Sequence, residues 1–117
     1  LNYTNRNNRR IHWTIGLEYS STLEQIKKFT KNIDFYIRDS NNFIVNENYK
    51  AFIKLDKFSD SSIDILIYCF TSTNDWETFL KTKEELAMKI KEEIETLGLN
   101  FAFPSQSIYV EKNSEIN

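Results

Sequence analysis

The sequence predicts one α+β domain in which two helices pack on one face of a small antiparallel sheet. The 117-residue chain is 40% hydrophobic and 15% aromatic, which is enough to bury one sizeable core and not two. Two long segments carry apolar residues at helical spacing, and each lies between segments that alternate apolar and polar residues. The resulting order of strand, helix, strand, strand, helix and strand is that of a ferredoxin-like β-α-β-β-α-β sandwich.

The first predicted strand follows a polar lead-in. Residues 1–8 are rich in Asn and Arg and have no periodicity, so we expect a flexible lead-in or linker. From Ile11 to Tyr19 apolar and polar residues alternate, as in a half-buried strand. His12 falls on its polar face, and because no second His or Cys lies nearby we expect no metal or general-base role for it.

The first helix is predicted to begin at Ser21, which has a glutamate three residues later and so matches a capping box with Glu24. Apolar residues then recur at helical spacing to about Arg38, with lysines on the other face. The Asn-rich segment from Asp39 to Asn48 is predicted to be a loop with a short apolar patch at residues 43–45.

The most apolar and β-branched stretch of the chain runs from Tyr49 to Phe70 and predicts a hairpin at the centre of the sheet. The turn is assigned to residues 59–62, whose Ser and Asp side chains can bond their own backbone. The second strand is apolar on both faces, which is typical of a central strand covered on both sides. In the first strand one face is predicted to hold Tyr49, Ala51, Ile53 and Leu55.

A long amphipathic helix is predicted from Asp75 to Leu97, opened by a second capping box between Asn74 and Glu77. Gly98 occupies the position where a left-handed residue ends a helix. The apolar stripe predicted for this long helix is best explained by packing on the sheet. The stripe consists of Trp76, Phe79, Leu80, Ala87, Ile90, Ile94 and Leu97.

The C-terminal end contains a short apolar segment that Pro104 interrupts, followed by a last strand with Ile108 and Val110 on one side. The expected divisions of the chain are a lead-in at residues 1–8, the α+β domain at 9–104, a terminal strand at 105–112 and a tail at 113–117. Because the chain begins with Leu1 rather than Met, we expect it to be a piece of a longer protein.

Composition excludes several classes of function. Fifteen basic and 17 acidic residues give a net charge of -2, which argues against a generic polyanion binder and a polybasic membrane clamp. Cys69 is the single cysteine, so no intrachain disulfide forms, and its apolar strand predicts a buried thiol rather than a nucleophile. No run approaches the ~18 apolar residues of a spanning helix.

The residue types needed for catalysis are scarce. One His and one Cys fall in unrelated settings, and two glycines cannot build a phosphate-binding loop. Asp56, Asp60 and Asp64 lie around the hairpin, where they are interpreted as turn and edge residues rather than an acid-base pair. We therefore expect no enzyme activity, no cofactor and no metal.

Four segments, taken in order, resemble the cytoplasmic C-terminal domain of the small-conductance mechanosensitive channel (MscS) family. They are RRIHWTIGLEYSS at residues 9–21, IKLDKFSDSSIDILIYCF at 53–70, LGL at 97–99 and FAFPSQSIYV at 101–110. The DSS turn, the glycine-terminated helix and the FPxQ exit together give a match that spans residues 9–111.

The resemblance implies a homoheptameric channel of the bacterial inner membrane that opens under bilayer tension and releases ions and small solutes on hypo-osmotic shock. In that family the pore helix and a β-rich domain lie upstream, and copies of this domain form a cytoplasmic cage below the pore. The final strand would pack with its symmetry mates in a parallel barrel. We therefore expect Pro104 to be a pivot and Ile108 and Val110 to be contacts between subunits, since such a strand is a poor sheet edge alone.

Two other functions share this fold. A nucleic-acid-binding sheet of RRM type needs exposed aromatic residues on its central strands and basic residues around them. The segment IDILIYCF at residues 63–70 lacks the glycine-aromatic spacing of that motif, and the net charge of the chain is negative. A small acyl-phosphate hydrolase needs an arginine in a glycine-containing loop after the first strand, and residues 18–22 contain neither. We therefore expect no nucleic-acid partner.

Overall fold

The computed structural model describes residues 8–103 of the chain. These residues form a four-stranded antiparallel sheet and two helices. The elements are β1 Arg10–Leu17, α1 Leu23–Asp39, β2 Phe43–Ile44, β3 Phe52–Phe58, β4 Ile63–Thr71 and α2 Trp76–Thr96. The predicted α+β class is confirmed. The predicted terminal strand at 105–112 lies outside the described residues.

Strand β4 is the centre of the sheet. β1 pairs with it antiparallel along one side, from Arg10 opposite Phe70 to Leu17 opposite Ile63. On the other side the two-residue β2 and then β3 pair with successive parts of β4. β1 and β3 are therefore parallel to each other on either side of β4 and are linked through α1, which is a split β-α-β arrangement.

One face of the sheet packs on both helices and makes the core, as predicted. In β4 the side chains of Ile65, Ile67 and Cys69 are completely buried, and the partner strands add Ile11 and Ile53 to the same face. The two helices close this face with Ile26, Phe29, Ile33 and Ile37 from α1 and Phe79, Leu86, Ile90 and Ile94 from α2. Burial of these large apolar side chains is the main source of stability.

The capping box of α1 lies one residue later than predicted. Thr22 is the N-cap: its Oγ1 accepts a hydrogen bond from the Gln25 amide at 3.2 Å, and Gln25 Oε1 accepts one from the Thr22 amide at 2.8 Å. The Ser21 hydroxyl instead donates to the Glu18 carbonyl oxygen at 2.7 Å. Thr-x-x-Gln and Ser-x-x-Glu satisfy the same rule, so sequence spacing alone does not choose between them.

Helix α2 likewise begins one residue later than predicted, with Asp75 rather than Asn74 as its N-cap. Asp75 Oδ2 accepts hydrogen bonds from the Thr78 hydroxyl at 2.7 Å and the Thr78 amide at 2.9 Å, and both bonds lower the pKa of Asp75. Its predicted apolar stripe is only partly buried, because Trp76 and Leu80 remain exposed. The stripe therefore extends beyond the surface that the sheet covers.

The C-terminal end of α2 confirms the role predicted for Gly98, whose φ is +73°. The Leu99 amide donates to the Ile94 carbonyl oxygen at 2.9 Å and the Gly98 amide to that of Glu95 at 3.2 Å. These two bonds form a Schellman motif, which requires a left-handed residue at this point. The motif turns the chain back toward β1.

Two details predicted for the hairpin are wrong. Tyr49 precedes β3 and its ring meets Phe70 edge-on at 5.1 Å, on the face opposite to Ile53. The second face of β4, with Leu66, Tyr68 and Phe70, is only half-buried, and no helix of the described part covers it. Both helices lie on the other face. The two apolar faces of β4 therefore did not mean that both were covered by helices.

After α2 the chain returns to the free side of β1. Phe101 forms an isolated antiparallel bridge with Leu17, the Ala102 amide donates to the Gly16 carbonyl oxygen at 2.9 Å, and the Glu18 amide donates to that of Asn100 at 3.1 Å. If the same register continued, the next amide of this segment to donate to β1 would be that of residue 104. Residue 104 is a proline and has no N–H. Proline therefore cannot continue this ladder of hydrogen bonds.

Candidate interaction surface

The two side chains most suited to catalysis lie on opposite faces of the sheet. His12 is opposite Tyr68 on the exposed face, whereas Cys69 is opposite Ile11 in the core. Burial raises the pKa of the Cys69 thiol to about 12, so the reactive thiolate is scarce at neutral pH. Among residues 8–103 no group of His, Cys, Asp or Glu side chains is placed to hold a metal ion.

Asp64, at the start of β4, holds the hairpin turn. Its two carboxylate oxygens accept hydrogen bonds from the Ser59 hydroxyl at 2.6 Å and the Ser62 hydroxyl at 2.7 Å, and these bonds lower the pKa of Asp64. Gly16 on β1 lies close by, where a Cβ atom would come within 3.3 Å of Ser62 Cβ. Asp64 therefore lies in the central strand rather than in the predicted turn, and both of its oxygens are engaged in holding that turn.

Aromatic side chains form a connected layer on the exposed face of the sheet. The Tyr68 ring lies 5.5 Å from His12, 5.8 Å from Phe52 and 5.6 Å from Phe70, and Phe70 contacts Tyr49. Such edge-to-face and tilted pairs are favourable ring geometries. We call this surface the open face; it consists of Arg10, His12, Thr14, Tyr49, Phe52, Lys54, Leu66, Tyr68 and Phe70.

Positive charge flanks the open face on both sides. On β1 the Arg10 guanidinium lies 5.7 Å from the centre of the Tyr68 ring, a cation–π distance. On β3 the exposed Lys54 is opposite Leu66. The open face is therefore aromatic at its centre and cationic at its edges, although the whole chain is acidic.

The solvent side of α2 has the opposite character. Met88 is 61% exposed, and the exposed Glu84 and Glu92 lie one turn before and one turn after it. α2 contains six Glu and four Lys, a net charge of 4 − 6 = −2. We call Glu84, Met88 and Glu92 the Met88 stripe.

A polar cluster joins the two helices. Glu93 is buried and accepts a hydrogen bond from Asn32 of α1 at 2.8 Å, and the Lys89 ammonium lies 3.0 Å from its other oxygen. Burial acts to raise the pKa of Glu93, but these bonds outweigh it and the pKa is lowered. Because every partner of this carboxylate is internal, the cluster is a structural contact between helices rather than a binding site.

The residues predicted to contact other subunits, Pro104, Ile108 and Val110, lie outside the described residues. The open face was missed at the level of sequence. Its signal was present in the alternating Leu66, Tyr68 and Phe70, but the pattern was assigned to a strand covered on both sides.

Comparison with known proteins defines the class of protein as the C-terminal domain of a mechanosensitive ion channel. The family model described as "Mechanosensitive ion channel MscS, C-terminal" matches residues 11–101. This span is most of the chain and contains every element from β1 to α2 except Arg10, the first residue of β1. The chain belongs to the MscS family, as the sequence motifs indicated.

Curated relatives match nearly the whole chain. An uncharacterized MscS family protein of Aquifex aeolicus is 39% identical over 111 residues, which are 95% of this chain and 30% of that protein. The low conductance mechanosensitive channel YnaI of Escherichia coli is 31% identical over 110 residues, 89% of this chain and 29% of that channel. The chain thus spans less than a third of these relatives.

Solved structures share the fold. The crystal structure of Helicobacter pylori MscS in its closed state superposes with a TM-score of 0.61 and 25% identity, over 81% of this chain and 35% of that chain. The cryo-EM structure of Arabidopsis thaliana MSL1 gives a TM-score of 0.68 at 16% identity, over 82% of this chain and 34% of that chain. Neither described helix of the present chain is long and apolar enough to cross a bilayer.

Proposed function

We propose that the chain is the cytoplasmic C-terminal domain of a channel that opens under membrane tension and releases ions and small solutes on hypo-osmotic shock. The observation that carries this proposal is the family match over residues 11–101, together with relatives of which the chain corresponds to about a third. The channel lies in the bacterial inner membrane, and seven copies of the domain form a cage below its pore.

In this proposal the domain assembles and does no chemistry. Residues 105–112 form a terminal strand that packs with those of neighbouring copies, with Pro104 as the pivot and Ile108 and Val110 as contacts. Two features support this role for the segment. The proline removes the amide that would continue pairing with β1 beyond Ala102, and a short free strand is stabilised by pairing with copies of itself.

A chimaera with the Escherichia coli relative tests the proposed function. The matching segment of that channel is replaced by the present chain, and the product is expressed in cells that lack other mechanosensitive channels. We expect tension-gated currents in membrane patches and improved survival of hypo-osmotic shock. A chimaera that reaches the membrane in normal amount but passes no current under tension would contradict the proposal.

The matched control is the same chimaera with Ile67→Asp, which places a charge in the centre of the core. Loss of current in this control and not in the parent chimaera shows that the folded domain is required. A second variant, Ile108→Asp with Val110→Asp, tests the proposed terminal strand. We expect it to fold normally and to reduce the assembled form of the channel on native gels.

A further inference from the structure

We propose that the open face of one copy binds the Met88 stripe of a second copy, so that neighbouring domains contact each other front to back. This inference rests on the proposed function, because it names the surfaces through which the domains of one channel meet. It commits to a second copy of this chain as the occupant of the open face. Its basis is the match of side-chain type and charge between two surfaces of the same molecule.

The open face has the composition of a binding surface. Tyr68 and Phe70 at its centre are half-buried, Phe52 beside them is 41% exposed, and no described element covers any of the three. Tyr, Phe and Arg are enriched at the centres of protein interfaces. A connected apolar surface of this kind on a soluble domain marks an interaction site.

The Met88 stripe is a second surface with an exposed apolar side chain, and its Glu92 also lies 4.0 Å from the Lys89 ammonium on the same helix. Met88 points into solvent from the middle of a well-formed helix, where an unbranched apolar side chain contributes nothing to the core. Thioethers pack favourably against aromatic rings, and methionine adapts to irregular surfaces. A layer of rings such as that around Tyr68 is therefore a suitable partner for it.

The charges on the two surfaces have similar spacing. Glu84 and Glu92 are eight residues apart on α2, which corresponds to about 12 Å along the helix axis. Arg10 and Lys54 lie on either side of β4 and four residues apart along it, which corresponds to roughly 16 Å between their Cα atoms. Because Arg and Lys side chains are long and flexible, both can reach the two carboxylates while Met88 contacts the rings between them.

Charge also decides the mode of contact. If two open faces met each other, Arg10 and Lys54 of both copies would be brought together, and like charges in an interface are unfavourable. A contact between two different surfaces is heterologous, and repetition of a heterologous contact builds a ring when the rotation closes. The front-to-back contact is therefore the one that suits a closed assembly of several copies.

Charge reversal tests the contact in the 117-residue chain. The sheet variant carries Arg10→Glu with Lys54→Glu, and the helix variant carries Glu84→Lys with Glu92→Lys. In low salt, sedimentation velocity is expected to show self-association of the unmodified chain that is about tenfold or more weaker in either variant, because like charges then meet at the contact. An equal mixture of the two variants is expected to regain the association of the unmodified chain.

A matched control reverses the same amount of charge elsewhere. Lys27→Glu with Lys28→Glu changes the solvent side of α1, which lies in neither surface. We expect its association to equal that of the unmodified chain. Thermal unfolding of all three variants checks that they are folded.

Cross-linking gives a second readout that does not depend on charge. A Phe52→Cys chain mixed with a Met88→Cys chain is expected to give a disulfide-linked pair on mild oxidation, whereas Phe52→Cys mixed with Lys27→Cys is not. The native Cys69 is buried and does not compete. Failure of the Phe52–Met88 pair to form would contradict the proposal even if the charge variants were unstable.

Three results would overturn the inference. The chain could remain monomeric at every concentration, its association could be unaffected by the helix variant, or the open face could bind labelled single-stranded RNA in place of a second copy. None of these touches the proposed channel function, which the chimaera tests separately. If the chimaera passed no current but the 117-residue chain still showed charge-dependent association, the channel proposal would be rejected. The proposed contact between copies would then stand.

Discussion

The two faces of the central sheet are built from the same strands and have different tasks. In β4 the side chains of Ile65 and Ile67 are fully buried beneath the helices, while Leu66 between them and Tyr68 after them are partly exposed on the other face. Both sets are apolar, so hydrophobicity alone does not distinguish them. The difference lies in the residue type, because the inner face is β-branched aliphatic and the open face is aromatic with cationic edges.

Stability and interaction are separated within a single strand. The inner face holds the two helices through close packing of aliphatic side chains. The open face exposes rings that add little to that packing and that are suited to a partner. Substitutions at adjacent positions of β4 should therefore affect different properties.

The largest effect is expected from truncation of the inner face. Ile65→Ala removes a fully buried side chain and should lower the free energy of unfolding by about 2 to 5 kcal/mol, since it leaves a cavity in the core. The adjacent Leu66→Ala on the open face should cost roughly 1 kcal/mol or less, because Leu66 is already partly in water. Urea unfolding of both variants measures the difference. Equal losses would show that the open face is also part of the core.

The fold could be predicted from the sequence, whereas the exposure of the open face could not. Alternation and helical spacing placed Ile65 and Phe79 in the core because burial demands a regular period. The same periodicity cannot tell which of two apolar faces a helix covers, and so Tyr68 was assigned a covering layer that residues 8–103 do not provide. The caps at Thr22 and Asp75 were each missed by one residue, because neighbouring residues offered equivalent hydrogen-bonding groups.

The second prediction compares thiols on the two faces. The pKa of Cys69 is raised to about 12, so its thiolate fraction near pH 8 should be roughly a thousandfold below that of an ordinary cysteine. A cysteine introduced by Thr14→Cys, at an exposed position of β1 on the other face, should react with a thiol reagent at the rate of a free cysteine. Comparison of the two rates in the native protein measures the contrast. Fast labelling of Cys69 without unfolding would show that the inner face opens to solvent.

The third prediction concerns the hairpin turn at the end of the open face. The hydroxyls of Ser59 and Ser62 lower the pKa of Asp64 relative to the unfolded chain. The carboxylate therefore stabilises the fold fully above the ordinary pKa of aspartate, and this contribution is lost as the pH falls through the lowered value. Asp64→Asn should cost about 1 kcal/mol at neutral pH and should flatten the loss of stability on acidification.

Thermal unfolding between pH 2 and pH 7 checks this dependence, with Asp60→Asn in the same turn as the control, since Asp60 is exposed. An Asp64→Asn variant that loses stability on acidification as steeply as the unmodified chain would show that another carboxylate governs the acid transition. Such a result would also argue against the view that the turn end of the open face stabilises the fold while its centre binds a partner.

The smallest effect on folding is expected at the cationic edge of the open face. Arg10→Ala removes a cation that lies over the Tyr68 ring, and at an exposed site this contact contributes about 0.5 to 1 kcal/mol to the free energy of unfolding. If the open face binds a second copy, the same substitution should weaken association more than it weakens the fold. Urea unfolding and sedimentation of one preparation compare the two quantities, with Lys27→Ala as the control. A larger loss in folding than in association would place Arg10 among the residues that hold the domain together, and the two faces of β4 would then share one task.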